Sequence, residues 1–199
     1  MTEQSAAIRT RRRGKELEDA LYNAALAELA AVGYGGLTME GIAARARTGK
    51  AALYRRWSSK HDLVLAALLY ALPPVPEPRP DRSARENLLA ILVAHCDLVA
   101  GKTAFPGLRI MNQLLHEPEL RAIFADAVVR PRLRIMESVL EAGVDNGEID
   151  AATVTPYTAR VGTALINQQV LLTGVPPNKR QLAQIIDTVV AHATATDTD

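Results

Sequence analysis

The chain has 199 residues, 48% of them hydrophobic and 23% charged, with a formal net charge of +1. That composition supports a buried core in one large or two small domains, no apolar run approaches the roughly 18 residues needed to span a bilayer, and the lone Cys96 excludes an intrachain disulfide and a cysteine metal site. Residues 1–60 carry 11 Lys+Arg against 6 Asp+Glu and residues 61–199 carry 12 against 16, so a polyanionic partner is expected at the N-terminal part alone.

Residues 1–14 read as a basic arm. Its Arg9, Arg11, Arg12 and Arg13 either follow phosphates and enter a minor groove or fray in solvent. No apolar segment follows these arginines, so a secretory signal is not expected and a reduced cytoplasm is the simplest compartment. A helix is predicted from Lys15 to Val32 on the stripe Leu17, Leu21, Ala25, Leu29, Val32, ended by Gly33-Tyr34-Gly35-Gly36. Two short helices follow between Leu37 and Lys60. Thr38 caps the first, and Met39, Ile42, Ala43 and Ala46 share one face. The second is predicted from Gly49 to Trp57, with Leu53 and Trp57 inward and Lys50, Tyr54 and Arg55 outward. Small residues at Ala43, Ala46 and Ala52 allow the close crossing that a helix-turn-helix needs.

The segment Thr38-Met39-Glu40-Gly41-Ile42-Ala43, then Gly49-Lys50-Ala51-Ala52-Leu53-Tyr54-Arg55-Arg56-Trp57, then Ser59-Lys60, resembles the DNA-binding signature of the tetracycline-repressor (TetR) family. The resemblance is specific over roughly residues 15–65. It implies that the second helix reads the major groove, with Thr38, Arg47, Thr48, Lys50, Ala51, Tyr54, Arg55 and Lys60 at the DNA. Lys50 and Arg55 are expected to read bases, and Tyr54 and Lys60 to hold phosphates. One departure is Ala46-Arg47-Thr48, where the family usually has Ala-Gly-Val. Arginine in the left-handed conformation of such a turn costs about 1 kcal/mol, either borne as strain or offset by a phosphate contact.

Ser59 is predicted to cap a fourth helix with the stripe Leu63, Ala66, Ala67, Tyr70, Asp62 serving as a weaker capping-box partner; the resemblance makes this the link to the rest of the protein. Pro73, Pro74, Pro76, Pro78 and Pro80 enforce an extended, stiff connection. Further helices are expected over Ala84–Ala100, Pro106–Leu115, and from Glu117-Pro118 onward, with a kink or break at Pro131. Asp145-Asn146-Gly147 makes a turn, and helices over Thr155–Thr173 and Gln181–Ala193 complete an all-α chain. The expected domains are the arm 1–14, a helix-turn-helix domain with its linking helix over 15–72, a connection over 73–82, and an effector-binding and dimerisation domain over 83–199.

A terminal helical hairpin with wide apolar faces needs a partner, and a second copy would make an isologous four-helix interface. The resemblance implies the same, with Val161, Leu165, Leu172, Leu182, Ile186 and Val189 as the interface. It also implies an inducer among the middle helices, where His95, Phe105, Met111, Asn112, Leu115, His116, Phe124, Ala127 and Met136 are expected to line the chamber. Each of these side chains equally suits a filled core. With no internal arginine or carboxylate cluster, the expected effector is small and mostly apolar.

Catalytic constellations are missing. No two of the four histidines His61, His95, His116 and His192 stand three or four apart. There is no His-Glu-x-x-His, no Gly-x-Ser-x-Gly and no phosphate loop. Adjacent His95 and Cys96 would point apart on a helix. The sequence therefore reads as no enzyme, with no metal and no cofactor. The expected function is a sequence-specific transcription regulator: a homodimeric repressor released from a palindromic double-stranded DNA operator by a small molecule, with no membrane partner. Two alternatives stay open, an architectural DNA-binding protein without effector and a ligand-sequestering helical bundle.

Overall fold

The computed structural model describes residues 14–108, 111 and 116–190, and every regular element among them is helical. The expected arm with Arg9 and Arg11 to Arg13, the expected helix over 106–115 apart from residues 106–108 and Met111, and the end of the last helix lie outside these residues; Pro106 and Gly107, where that helix is expected to start, are not helical. The chain divides into two compact units, one ending at Ala67 and the other beginning at Leu68. The division falls inside a helix, ahead of the proline-rich segment where the sequence places it.

In the first unit α1 spans Lys15–Gly36, and Leu21, Ala25 and Leu29 carry its buried stripe. Val32, expected to extend the stripe, is 48% exposed. The reason is local: Gly33 leaves the helical region (φ 71°, ψ 172°), so the α-helical stripe ends before it. Helix α2 (Met39–Arg45) is capped by Thr38, whose hydroxyl accepts from Gly41 N–H at 3.0 Å. Helix α3 is only Lys50–Tyr54, shorter than predicted. Leu53 and Trp57 are nevertheless both buried, because the turn after α3 keeps helical hydrogen bonds from Arg56 and Trp57 back to Leu53. The Trp57 and Tyr22 rings meet edge to face at 5.5 Å.

Helix α4 runs Lys60–Ala71. Ser59 Oγ accepts from Asp62 N–H at 3.1 Å as expected. The Asp62 carboxylate also accepts from the Ser58 hydroxyl, and hydrogen bonding from Ser58 and then Ser59 holds its pKa below the ordinary carboxylate value. Leu63, Val64, Ala67, Leu68 and Ala71 are its buried residues, while Tyr70 is exposed.

The second unit is organised on α5 (Ala84–Val99), which opens with a full capping box between Ser83 and Glu86. Helix α6 (Pro118–Phe124) starts on a proline in its first turn. The helix does not break at Pro131. A π-helical turn over Ala125–Val129 joins α6 to α7 (Arg130–Asp145), and Arg130 N–H bonds Ala125 O, five residues back. The wider turn absorbs the proline by changing the ladder's register just before the missing donor. Helices α8 (Thr158–Thr173) and α9 (Lys179–Val190) follow, and Gly174 closes α8 in a left-handed conformation. Helix α5 packs against α7, α8 and α9. Leu88, Leu92, Cys96 and Val99 of α5 share one core with Met136 and Leu140 of α7, Ile166 of α8, and Leu182 and Ile186 of α9. Burial pushes the Cys96 thiol up to about 11, so it is an inert core side chain.

The proline-rich segment is extended, as predicted, and it is fastened to the second unit. Buried Asn87 accepts from Arg79 N–H and donates to Arg79 O and Arg82 O. Arg132 donates to Pro73 O at 2.9 Å.

Gly143 should tolerate a methyl group poorly. A Cβ there would stand 2.8 Å from Ala84 Cβ and 2.7 Å from Ile149 Cδ1. Gly143→Ala is expected to lower stability by about 1–3 kcal/mol through overpacking, despite alanine's better helix propensity. An unchanged or raised melting temperature would show that α5 and α7 can separate freely.

Candidate nucleic-acid interface and effector cleft

The helix-turn-helix is built on a Schellman closure of α2. Thr48 N–H bonds Ala43 O and Arg47 N–H bonds Ala44 O, both at 3.0 Å. The closure requires one left-handed residue, and Arg47 supplies it at φ 54°, the only non-glycine residue with positive φ among those described. The same closure ends α5 at Gly101 and α7 at Gly147, where glycine takes that conformation. Strain of order 1 kcal/mol is thus built into this turn, and the Arg47 side chain is exposed.

On α3, Ala52 and Leu53 face inward, while Lys50, Ala51, Tyr54 and, one residue on, Arg55 are exposed. Lys50 Nζ lies 2.8 Å from Glu40 Oε1 of α2. This hydrogen-bonded pair holds the Glu40 carboxyl below its ordinary range and raises the Lys50 ammonium. Thr38 is exposed, with its hydroxyl engaged as the α2 cap, and Thr48 is half-buried.

Lys60 is placed differently from the expected phosphate contact. Its ammonium donates to Tyr34 O at 3.1 Å and Leu37 O at 3.2 Å and lies 4.6 Å from the centroid of the Tyr34 ring. It ties the start of α4 to the chain between α1 and α2.

The second unit holds a small cleft, with about 40 Å³ of accessible space, between the strap 73–76, α5, α7 and α8. Its lining is apolar over Val75, Ile91, Leu98 and Met136, with His95, Arg132 and Thr163 as polar groups. His95 Nε2 lies 2.8 Å from Asn167 Oδ1. Burial lowers the His95 pKa against the opposing effect of that hydrogen bond, and the nearby Arg132 charge lowers it further, which keeps the imidazole neutral at pH 7.

Of the described side chains expected to line a chamber, His95 and Met136 are at this cleft. Phe105 and Phe124 are buried with stacked rings at 6.3 Å and fill core volume. His116 and Ala127 are exposed; Ala127 stands on the π turn whose Val128 is buried, and it is not among the residues lining this cleft. Met111 is half-buried, and Asn112 and Leu115 lie outside the described residues. Arg132 and Thr163 are polar cleft residues absent from the expected set.

The expected dimer residues also separate. Leu182 and Ile186, the latter 1% exposed, belong to the unit's own core, because α9 turns its strongest apolar face onto α5. Val161 and Val189 are half-buried, while Leu165 and Leu172 are exposed, Leu172 by 74%. Leu171 and Val175 extend this bare apolar strip along and beyond the end of α8.

Two family models match the chain. Residues 21–67 match bacterial regulatory proteins of the tetR family, and residues 78–189 match the tetracyclin repressor-like C-terminal domain. A helix-turn-helix-type transcriptional regulator of Mycobacterium tuberculosis is 28% identical over 158 residues, covering 79% of this chain and 78% of that one. The DNA-binding transcriptional repressor TetR of Mycobacteroides abscessus is 25% identical over 190 residues, covering 89% and 94%. Among solved structures, the flavonoid-responsive regulator FrrA shares the fold with a TM-score of 0.70 at 17% identity, covering 90% of this chain and 96% of that one. Among the described residues no group of acidic, histidine or cysteine side chains could hold a metal, and no helix is long and apolar enough to cross a membrane.

Arg47→Gly is expected to raise stability by about 0.5–1 kcal/mol, because glycine takes the left-handed conformation without a Cβ clash. Thermal or urea unfolding of the two proteins checks this. A less stable glycine variant would mean that the arginine side chain contributes more than the backbone strain costs.

Proposed function

The chain belongs to the tetR family of bacterial regulatory proteins, DNA-binding transcriptional regulators, and from that premise we propose a homodimeric repressor that leaves a palindromic operator when a small molecule occupies its second unit. The observation that carries the reading is the exposed face of α3, where Lys50, Ala51, Tyr54 and Arg55 stand clear of a buried Leu53. Lys50 and Arg55 have the donors that suit guanine edges, Ala51 suits a thymine methyl, and Arg47 and Tyr54 suit phosphates. Lys60 is left to brace its own domain.

Repression is favoured by the Mycobacteroides abscessus relative, described as a repressor. Release by a small molecule is favoured by the cleft beside α5, and FrrA, described as flavonoid-responsive, shows that proteins of this fold answer such ligands. Dimerisation is favoured by the bare strip Leu165, Leu171, Leu172 and Val175, since apolar area of this kind is stabilised by a partner. Two recognition helices must stand about 34–36 Å apart to enter successive major grooves. Helix α4 carries the chain from the first unit into the second, so a ligand that changes where α4 leaves the second unit changes that spacing. Such coupling is reciprocal: a tenfold loss of operator affinity corresponds to about 1.4 kcal/mol of differential ligand binding.

Footprinting on random and genomic DNA is expected to give a short palindrome; uniform coverage would favour an architectural protein. On that operator Lys50→Ala should relax preference at one position per half-site and weaken binding by about 1–3 kcal/mol. Equal weakening on operator and unrelated DNA would reassign Lys50 to the phosphates.

Leu172→Glu should leave the fold intact, because the side chain is exposed in the single chain, yet split the dimer by placing an unpaired charge in an apolar interface. Sedimentation with circular dichroism reads both effects. A variant that sediments as the parent dimer would remove this end of α8 from the interface.

A further inference from the structure

Among the described residues Arg132 is a cation without a counter-ion. Its guanidinium donates from one nitrogen to Val128 O at 3.3 Å and from the other to Pro73 O at 2.9 Å. A guanidinium has five N–H groups, and carbonyls compensate its charge only in part. Among the described residues no carboxylate pairs with it; the ion pairs found there join other residues. It is half-buried in the wall of the cleft. A desolvated charge is costly unless it is paired, and here desolvation lowers the Arg132 pKa with no acidic neighbour opposing it. The position is otherwise one for an apolar side chain. Val128, Arg132, Met136 and Leu140 follow at intervals of four, and the other three are buried.

The neighbourhood has a second character. Val75, Ile91, Leu98 and Met136 supply aliphatic surface, and the lining contains no phenylalanine, tyrosine or tryptophan. His95 contributes no positive charge at neutral pH. Aliphatic walls with one unpaired, forked cation suit a small amphipathic anion: an unbranched aliphatic body ending in one carboxylate or phosphate, which a guanidinium receives with two parallel hydrogen bonds. We propose that the cleft between residues 73–76, α5, α7 and α8 is the effector site and that Arg132 selects an organic anion there. This replaces the mostly apolar effector expected from the sequence, and it rests on the effector-release reading only for its consequence at DNA.

The site also has a mechanical side. Arg132 holds Pro73 O, and residues 73–76 follow directly after α4. An anion that draws the guanidinium competes with Pro73 O for its N–H groups and loosens the strap just beyond that helix.

Calorimetric titration of the full-length protein with octanoate, octyl phosphate and 1-octanol tests the proposal. At least one of the two anions should bind at least about tenfold more tightly than the alcohol, and which anion wins distinguishes carboxylate from phosphate. Arg132→Gln should abolish that preference while leaving the weak alcohol binding unchanged. A purely structural arginine would lower the melting temperature without altering the anion-to-alcohol ratio. If Arg132→Gln fails to fold, Ala94→Leu, which fills the cleft and keeps the arginine, should remove binding of the anions. Equal affinities for anion and alcohol in the parent protein, no binding of either anion, or anion binding untouched by Ala94→Leu overturns the proposal. Arg132-dependent anion binding that leaves operator affinity unchanged keeps the site and removes the effector-release reading.

Discussion

Gly143 and Gly162 let α7 and α8 close on α5, and the second unit depends on that approach. A methyl group at Gly162 would stand 2.8 Å from Leu92 Cδ1, and one at Gly143 would meet Ala84 and Ile149 as closely. With both positions bare, Leu88 and Leu92 become almost wholly inaccessible, and α9 can add Leu182 and Ile186 to the same core. Burial of this kind is worth roughly 1.5–3 kcal/mol for each large aliphatic side chain. The same closure decides what remains outside. When α8 turns Gly162, Ile166 and Val170 inward, Leu171 and Leu172 are left on its other side, so one packing decision produces both the core and the strip left for a second chain.

Two cations show how differently a positive charge can be housed. Lys60 has three N–H groups and meets two carbonyls and an aromatic face, which leaves it little capacity for anything else. Arg132 has five N–H groups, uses donors to two carbonyls and looks into a cleft. Reach and charge make both residues plausible anion contacts in a sequence. The count of satisfied donors separates the brace from the receptor.

Much of this was legible beforehand. The all-α class, the Thr38 cap, the proline start of α6 and the turn at Gly147 follow from rules that act within one turn of chain. The inward Leu53 and Trp57 and the outward Lys50, Tyr54 and Arg55 follow from spacing. What failed depended on register and on partners distant in sequence. Pro131 signals a break under α-helical spacing, and a π turn just before it accommodates the missing donor instead. Ala127, small and apolar, reads as a chamber wall and stands exposed. Leu182 and Ile186 belong to a strongly amphipathic helix, but amphipathicity names a buried face without naming what buries it. Arg132 was available as a signal: a charge at the second of four positions spaced by four, the others apolar.

The ion pair between Lys50 and Glu40 bears on how salt governs binding. A lysine that reaches DNA from water brings its own condensed anions and displaces cations from the phosphates, and the displaced cations make affinity fall steeply as salt rises. Lys50 starts from a carboxylate 2.8 Å away. Moving it to the duplex exchanges one anionic partner for another and frees Glu40 to gather cations near the polyanion. Its net yield of released ions on reaching DNA would therefore be small, whereas Arg47 and Arg55, which form no ion pair among the described residues, would contribute in full from phosphate contacts. A contact of the Lys50 type would flatten the dependence of occupancy on ionic strength and make the regulator's grip less sensitive to the salt in the solution around it.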